Sequence, residues 1–200
     1  MIKAIIFDWG GVLIHDPEDS LMVYCANKLG LEVNIFKKKY YQYQKDFHKN
    51  KITEMELWKK ICKELGVSAP KPGSIWQKAV KKIFKENKSV IEIARKLKSN
   101  GYLIGLLSDA DITAVEYFKK QKYNIFNVSV FSCIERYVKP EKEIYEIILN
   151  RLDTLPGETI FIDDKKIHVE GAKKLGINTI LFTTAENLIK EFLKFGVNLG

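Results

Sequence analysis

Residues 2–13 read IKAIIFDWGGVL, a short apolar run that ends at Phe7 and is followed at once by Asp8. Runs of this kind, rich in Ile and Phe, are typical of strands that are covered on both faces of a parallel sheet. Four later runs have the same character and predict four more strands, at residues 102–107, 127–132, 159–162 and 178–182. The opening stretch therefore predicts the first strand of an α/β sheet.

Helical patterns separate the later strands. They cover residues 111–121, 141–152, 166–175 and 185–195, and Gly176 stands where a helix ends. Strands that alternate with helices indicate a parallel sheet with right-handed crossovers. We therefore predict a Rossmann-like core with helices on both faces of the sheet.

Residues 16–85 differ, because they contain helix signals and no run that resembles a strand. Asp16 and Pro17 predict the start of a first helix, the segment from Thr53 to Glu56 is a capping box, and Ser74 precedes another helical run. We predict that this span is a small all-helical insertion after the first strand. The predicted domains are a core formed by residues 1–15 and 86–200 and an insertion formed by residues 16–85.

Composition limits the classes of protein that need considering. The chain has 200 residues, a net charge of +8 and 46% hydrophobic residues, typical of one folded domain with a modest insertion. Of the 33 basic residues 30 are lysines, spread along helical stretches, so we expect solvated surfaces and no nucleic acid binding. No apolar run is long enough to span a membrane. Three distant cysteines favour a reducing compartment, and we expect a cytoplasmic monomer or homodimer.

Polar side chains follow three of the predicted strands. Asp8 follows the first, Ser108 and Asp109 follow the second, and Asp163 and Asp164 follow the strand at residues 159–162. The carboxyl ends of parallel strands lie along one edge of a sheet, where ligands bind. Clustered carboxylates repel one another unless a cation intervenes. Oxygen ligands without cysteine or histidine predict Mg²⁺.

Four segments resemble the motifs of the haloacid dehalogenase-like (HAD) hydrolases in the order that this family shows. They are residues 5–13, 106–109, 138–145 and 161–176. The glycine pair Gly10-Gly11 and the long fourth motif are most similar to the alpha-D-glucose-1-phosphatase-like branch, in which the inserted cap is a small helical bundle. The resemblance implies an α/β fold of that family and phosphoryl transfer in two steps.

The resemblance also implies roles for individual residues. Asp8 would be the nucleophile that attacks phosphorus, and Lys139 would hold both the phosphate and the nucleophile. Mg²⁺ would be held by Asp8, the backbone carbonyl of Gly10 and Asp164, with Asp163 acting through a bound water. Ser108 would donate a hydrogen bond to the phosphate. Asp109 joins this substrate-binding set at a position where the family usually has asparagine.

Departures from the family pattern concern the leaving group. Most HAD phosphatases carry a second aspartate, a general acid, two residues after the nucleophile, where this chain has Gly10. Its absence indicates weak activity, another donor, or a leaving group that needs little protonation, such as that of an anomeric or acyl phosphate. Of two further substitutions, we expect Lys165 to point outward and His168 to form local hydrogen bonds. His48, flanked by lysines, is expected at the surface.

We therefore predict a Mg²⁺-dependent phosphatase that hydrolyses a small phosphorylated metabolite, a sugar phosphate being one candidate, through an aspartyl-phosphate intermediate. One alternative is a 2-haloacid dehalogenase, which shares the fold and the nucleophile but needs no metal. Another is a catalytically weak HAD-like binding or regulatory protein, for which Gly10 and Asp109 are the support. The pair Asp163-Asp164 argues against the dehalogenase, because paired carboxylates beside Asp8 serve a cation.

Overall fold

A computed structural model describes residues 1–71, 73 and 75–199 of the chain. Five parallel strands form one sheet in the order β3-β2-β1-β4-β5. The strands are β1 (Ala4–Phe7), β2 (Leu103–Ser108), β3 (Val128–Phe131), β4 (Thr159–Asp163) and β5 (Asn178–Leu181). Each lies within two residues of the predicted run. The predicted α/β fold is confirmed.

Helices cover both faces of the sheet. The described helices are α1 (Glu18–Leu29), α2 (Val33–His48), α3 (Glu54–Glu64), α4 (Trp76–Ile83), α5 (Lys88–Ser99), α6 (Ile112–Gln121), α7 (Ser132–Glu135), α8 (Lys142–Leu152), α9 (Lys166–Lys173) and α10 (Ala185–Lys194). Helices α5, α6 and α10 pack on the face that carries Ile5 and Phe7. Helices α8 and α9 pack on the opposite face, which carries Ala4 and Ile6. Alternate residues of β1 thus enter two separate hydrophobic layers.

The helical insertion has a hydrophobic cluster of its own. Helices α1 to α4 contribute buried side chains to it, among them Phe36, Trp58 and Trp76. The predicted capping box at Thr53 and Glu56 is present, because each side chain bonds the backbone N–H of the other residue. Helix α1 begins at Glu18, one residue later than predicted, and the Asp16 carboxylate accepts a hydrogen bond from the Glu18 N–H. Ser74 lies outside the described residues, and the domain boundaries stay a prediction.

Two further observations bear on the setting of the chain. Cys25, Cys62 and Cys133 are buried free thiols. Within the part of the chain that the structure describes, every helix is too short or too polar to cross a bilayer.

Candidate active site

Three neighbouring strands bring polar side chains to one edge of the sheet. Asp8 follows β1, and Ser108 and Asp163 are the last residues of β2 and β4. Because β1 lies between β2 and β4, these three residues meet at the point of the sheet where the strand order reverses. Asp8 and Ser108 line a cavity of about 370 Å³ between this edge and the helical insertion. The predicted juxtaposition at the strand ends is therefore present.

Lys139 joins the two buried carboxylates. Its ammonium nitrogen lies 2.8 Å from Asp8 Oδ1 and 2.6 Å from Asp163 Oδ2, and it donates a third hydrogen bond of 3.3 Å to the Leu107 carbonyl. A lysine ammonium has three N–H donors, so each has an acceptor. The Lys139 side chain is 1% exposed. Such a buried ion pair keeps Lys139 and Asp8 in one geometry, because breaking it would strand a charge away from water.

The charges of this group are unequal. Burial raises the pKa of Asp8 well above its usual range, because one ammonium shared with Asp163 does not offset the loss of solvent. Although burial acts in the same direction on Asp163, Lys139 and His168 hold the pKa of Asp163 well below its usual range. Burial would lower the pKa of Lys139, but Asp163 and Asp8 raise it. Without a further cation, Asp163 is the stably ionised carboxylate.

Protein donors occupy both oxygens of Asp163. Oδ1 accepts a hydrogen bond of 2.8 Å from the Lys165 backbone N–H, and Oδ2 accepts the bond from Lys139. His168 Nδ1 lies 3.0–3.1 Å from the two oxygens and carries a hydrogen, because an ionised carboxylate can only accept. His168 thus forms the local bond that was predicted. Asp163, predicted to act on the metal through water, is arranged to hold Lys139.

Asp164, in contrast to Asp163, has a carboxylate oxygen to which none of the described residues donates a hydrogen bond. Its Oδ1 is buried and accepts no hydrogen bond from the described residues. Gly11 provides the space for this carboxylate, since a Cβ at Gly11 would lie 2.3 Å from Asp164 Oδ2. Burial, followed by the charge of Asp163, raises the pKa of Asp164. A buried carboxylate oxygen without a donor is costly. Its chemistry fits a hard divalent cation such as Mg²⁺.

A second group of potential metal ligands includes Asp8 itself. The ligand atoms of Asp8, Asp163 and His168 all lie within 4.8 Å of one another. Among the described residues, this is the group of three acidic, histidine or cysteine side chains that lie close enough to share one metal ion. The Lys139 ammonium already contacts both of its carboxylates. These carboxylates therefore already have a cationic partner, whereas Asp164 Oδ1 has none among the described residues, so Asp164 is the better candidate for a cation ligand.

The remaining predicted substrate-binding residues take different positions. Ser108 is 3% exposed and lines the cavity beside Asp8. Asp109 also lines the cavity, and its Oδ1 accepts a hydrogen bond of 3.0 Å from the Lys139 backbone N–H. Its Oδ2 lies 4.0 Å from His168 Nε2. Asp109 therefore fixes the loop that carries Lys139.

The surroundings of the site differ from expectation at two residues. The Lys165 side chain is 46% exposed, as predicted, but it also lines the cavity, and its Nζ lies 2.8 Å from Glu18 Oε2 at the start of α1. His48 is half-buried in the cavity wall, since α2 ends against the core, where Ser132 Oγ donates to the His48 carbonyl. Flanking lysines suggested solvent at His48, but its own face of α2 is covered.

Sequence reasoning also missed residues that join the insertion to the core. Glu141 contacts Lys45 of α2 at 3.0 Å and Lys49, the residue directly after α2, at 2.7 Å. It also accepts a hydrogen bond from the Val138 N–H. Although burial opposes it, the bond from Lys49 and its partners lowers the pKa of Glu141 to about 2. The one signal in the sequence was its place after Pro140 at a helix start. Nothing there indicated its partners, of which Lys49 lies 92 residues away in the chain.

Comparisons with known proteins agree with this geometry. The sequence profile of the haloacid dehalogenase-like hydrolase family matches residues 2–176. Acyl-CoA dehydrogenase family member 10 of Mus musculus is 26% identical over 99% of this chain, which spans 20% of the mouse protein. A sesquiterpene phosphatase of Aspergillus oryzae is 25% identical over 88% of this chain and 87% of its own. A HAD family enzyme of Bacteroides thetaiotaomicron was solved as an aspartate-to-alanine mutant with magnesium and inorganic phosphate. It superimposes on this chain with a TM-score of 0.76 and is 25% identical in sequence, and the match covers 92% of this chain and 95% of that enzyme.

Proposed function

The chain belongs to the haloacid dehalogenase-like hydrolase family, and we propose that it is a Mg²⁺-dependent phosphatase acting on a small phosphorylated metabolite through an aspartyl-phosphate on Asp8. The observation that carries the proposal is the placement of Asp8 at the end of the central strand, held by Lys139 at 2.8 Å and facing a cavity. Two relatives support it. One is named as a phosphatase, and the other was solved with magnesium and phosphate.

The two oxygens of Asp8 have different tasks in this proposal. Oδ1 accepts hydrogen bonds from the Trp9 backbone N–H at 2.7 Å and from Lys139, which fixes the carboxylate and lowers the electron density on that oxygen. Oδ2 accepts no hydrogen bond from the described residues and is the oxygen that attacks phosphorus in line with the leaving group. Lys139, Ser108 and the neighbouring charges stabilise the added negative charge. As the Oδ2–P bond forms, the bond from phosphorus to the leaving oxygen breaks, and that oxygen takes a proton from solvent water and departs as the alcohol. Water then attacks phosphorus and gives its proton to solvent, the P–Oδ2 bond breaks, and inorganic phosphate leaves the restored Asp8 carboxylate.

Asp8, the Gly10 carbonyl and Asp164 would hold Mg²⁺. When bound, the cation neutralises charge on the phosphate and keeps Asp8 ionised despite its burial. In this assignment Asp163 positions Lys139. Asp109 acts on the same lysine through its backbone. Asp163 and Asp109 are thus positioning residues for the reaction.

Protonation of the leaving group is the step for which the chain lacks the usual residue, because Gly10 has no side chain. General acid help is worth about 10²–10⁴ in rate, so among compounds that bind equally well those with weakly basic leaving groups should react fastest. We propose that acetyl phosphate is hydrolysed faster than the phosphate of a primary alcohol. Equal or reversed rates would contradict this.

The test is a screen of phosphate monoesters and acetyl phosphate with Mg²⁺, repeated with EDTA and with Asp8→Asn. Phosphate release that needs Mg²⁺ and disappears in the variant is the expected result. Release of halide from 2-haloacids in the presence of EDTA would favour the dehalogenase instead. Absence of any turnover by the folded protein would favour a binding or regulatory role. Full activity of Asp8→Asn would exclude the proposed nucleophile.

A further inference from the structure

The cavity continues from Asp8 into the helical insertion, and this inner part is lined mainly by carbon. Leu21 and Met22 of α1, Tyr40 of α2 and Trp76 of α4 are all less than 8% exposed and line it. The rings of Tyr40 and Trp76 stack with centroids 5.6 Å apart. These side chains belong to the hydrophobic cluster of the insertion, so they present a firm apolar wall to whatever is attached to the phosphate.

Two polar groups of the same wall, the Trp76 indole N–H and the Asp111 carboxylate, are paired with each other. Trp76 Nε1 donates to Asp111 Oδ2 at 2.9 Å, and Asp111 Oδ1 accepts the N–H groups of Thr113 and Ala114. Both oxygens of Asp111 therefore already accept a hydrogen bond. A substrate hydroxyl placed against this part of the wall would find few free partners, and a buried hydroxyl without a partner weakens binding.

The same holds near the mouth of the cavity. Tyr41 donates its hydroxyl to Glu18 at 2.7 Å, and Lys165 takes the other Glu18 oxygen at 2.8 Å. Lys45, on the next turn of α2, pairs with Glu141. These contacts close the insertion on the core, and they engage Glu18, Lys165 and Lys45 with protein partners.

Resting on the proposed function above, we propose that the substrate is a phosphate monoester whose leaving group is an apolar alcohol, bound against Leu21, Met22, Tyr40 and Trp76. A sugar phosphate is disfavoured, because its hydroxyls would lose water without gaining partners in the apolar part of the cavity. The cavity of about 370 Å³ lies at the small end of the range for ligand pockets, which sets an alcohol of modest size.

A series of straight-chain alkyl phosphates tests this without any change to the protein. Ethyl, butyl and hexyl phosphate have leaving groups of nearly equal basicity, so differences in kcat/KM report binding of the chain. We expect kcat/KM to rise by about fourfold per added methylene. Hexyl phosphate should exceed glucose 6-phosphate, also a primary-alcohol ester, by at least about tenfold. A flat series, or a faster sugar phosphate, would overturn the inference.

Variants on one helix place the effect. Leu21→Asn conserves shape but makes the wall polar, and it should lower the ratio of kcat/KM for hexyl over ethyl phosphate by about tenfold. Val23 lies on the same helix and is 43% exposed, so Val23→Asn serves as the control and should leave the ratio of kcat/KM for hexyl over ethyl phosphate unchanged. An unchanged ratio in a folded Leu21→Asn would place the alkyl chain elsewhere and refute the site.

The outcomes separate this inference from the proposed function. Hydrolysis of acetyl phosphate and glucose 6-phosphate together with a flat alkyl series would refute the apolar site alone. No Mg²⁺-dependent hydrolysis of any of these compounds would refute the phosphatase and the apolar site together.

Discussion

Replacing Gly11 by alanine is the sharpest test of the assignment of Asp164. The new Cβ would lie 2.3 Å from Asp164 Oδ2 and 2.5 Å from its Cγ, so the carboxylate has to move by about 1 Å to reach ordinary van der Waals contact. Gly11 also has a φ of +80°, where an L-residue costs about 1–2 kcal/mol. A cation ligand displaced that far no longer matches the demanding geometry of Mg²⁺.

Gly101→Ala separates the two effects. Gly101 has a φ of +89°, close to that of Gly11, and a Cβ there meets no atom within 4 Å. Both variants should therefore lose a similar amount of stability, about 1–2 kcal/mol, from backbone strain alone. The displacement of Asp164 is specific to Gly11→Ala. Any difference in the response to Mg²⁺ thus reports the carboxylate.

The assay is a Mg²⁺ titration followed in two ways, by phosphatase activity and by the rise in melting temperature that a bound ligand produces. We expect the Mg²⁺ midpoint of Gly11→Ala to increase about 10–100-fold, and its thermal shift at a fixed Mg²⁺ concentration to shrink. Gly101→Ala should retain the midpoint of the unchanged protein. A Gly11→Ala protein that is folded and has an unaltered midpoint would refute the placement of the cation at Asp164.

Three further outcomes follow from the site. Lys139→Met should abolish activity and lower the free energy of unfolding by about 3–5 kcal/mol, because it leaves Asp8 and Asp163 buried without their cation. Denaturant unfolding measures this change, and a loss below about 1 kcal/mol would contradict the role of the lysine. Because the pKa of Glu141 is lowered to about 2, its contribution to stability is full above the unfolded pKa near 4.5 and is lost as the pH falls towards 2. Glu141→Gln should therefore reduce the loss of unfolding free energy over this pH range. An unchanged loss would assign the acid sensitivity to other groups. Gly10→Asp supplies the missing acid at a position where a Cβ meets only Pro17 Cδ, at 3.6 Å. Turnover of ethyl phosphate should then rise by up to about 10²-fold relative to that of acetyl phosphate. An unchanged ratio of the two rates would show that protonation of the leaving group does not limit the rate.

Much of the core could be predicted because its signals are local. A buried parallel strand is nearly continuous in apolar residues, and a polar residue directly after it must lie at the edge of the sheet. This reasoning placed Asp8, Ser108 and Asp163 at one edge. It could not say which oxygens are free, since that depends on donors such as His168 and the Lys165 N–H. Asp163 and Asp164 are adjacent and chemically alike, yet one is saturated with donors and the other has a bare oxygen.

The surroundings of the cavity could not be predicted for a different reason. The contacts between Glu141 and Lys49, and between Lys165 and Glu18, join residues 92 and 147 positions apart in the chain. Surface lysines and glutamates are interchangeable in a sequence pattern, and only the docking of α1 and α2 on the core selects these pairs. His48 was misjudged because its flanking residues resemble a solvated surface.

Because Asp8 and Asp163 share the one ammonium of Lys139, the reaction centre lowers the stability of the fold. The pKa of Asp8 is raised in the folded state. Above the unfolded pKa of about 3.9, Asp8 therefore ionises more readily in the unfolded chain, which lowers the free energy of unfolding. A neutral amide at residue 8 removes this excess charge. Inactive Asp8→Asn should therefore resist denaturation better than its active parent in metal-free buffer, a trade of robustness for reactivity.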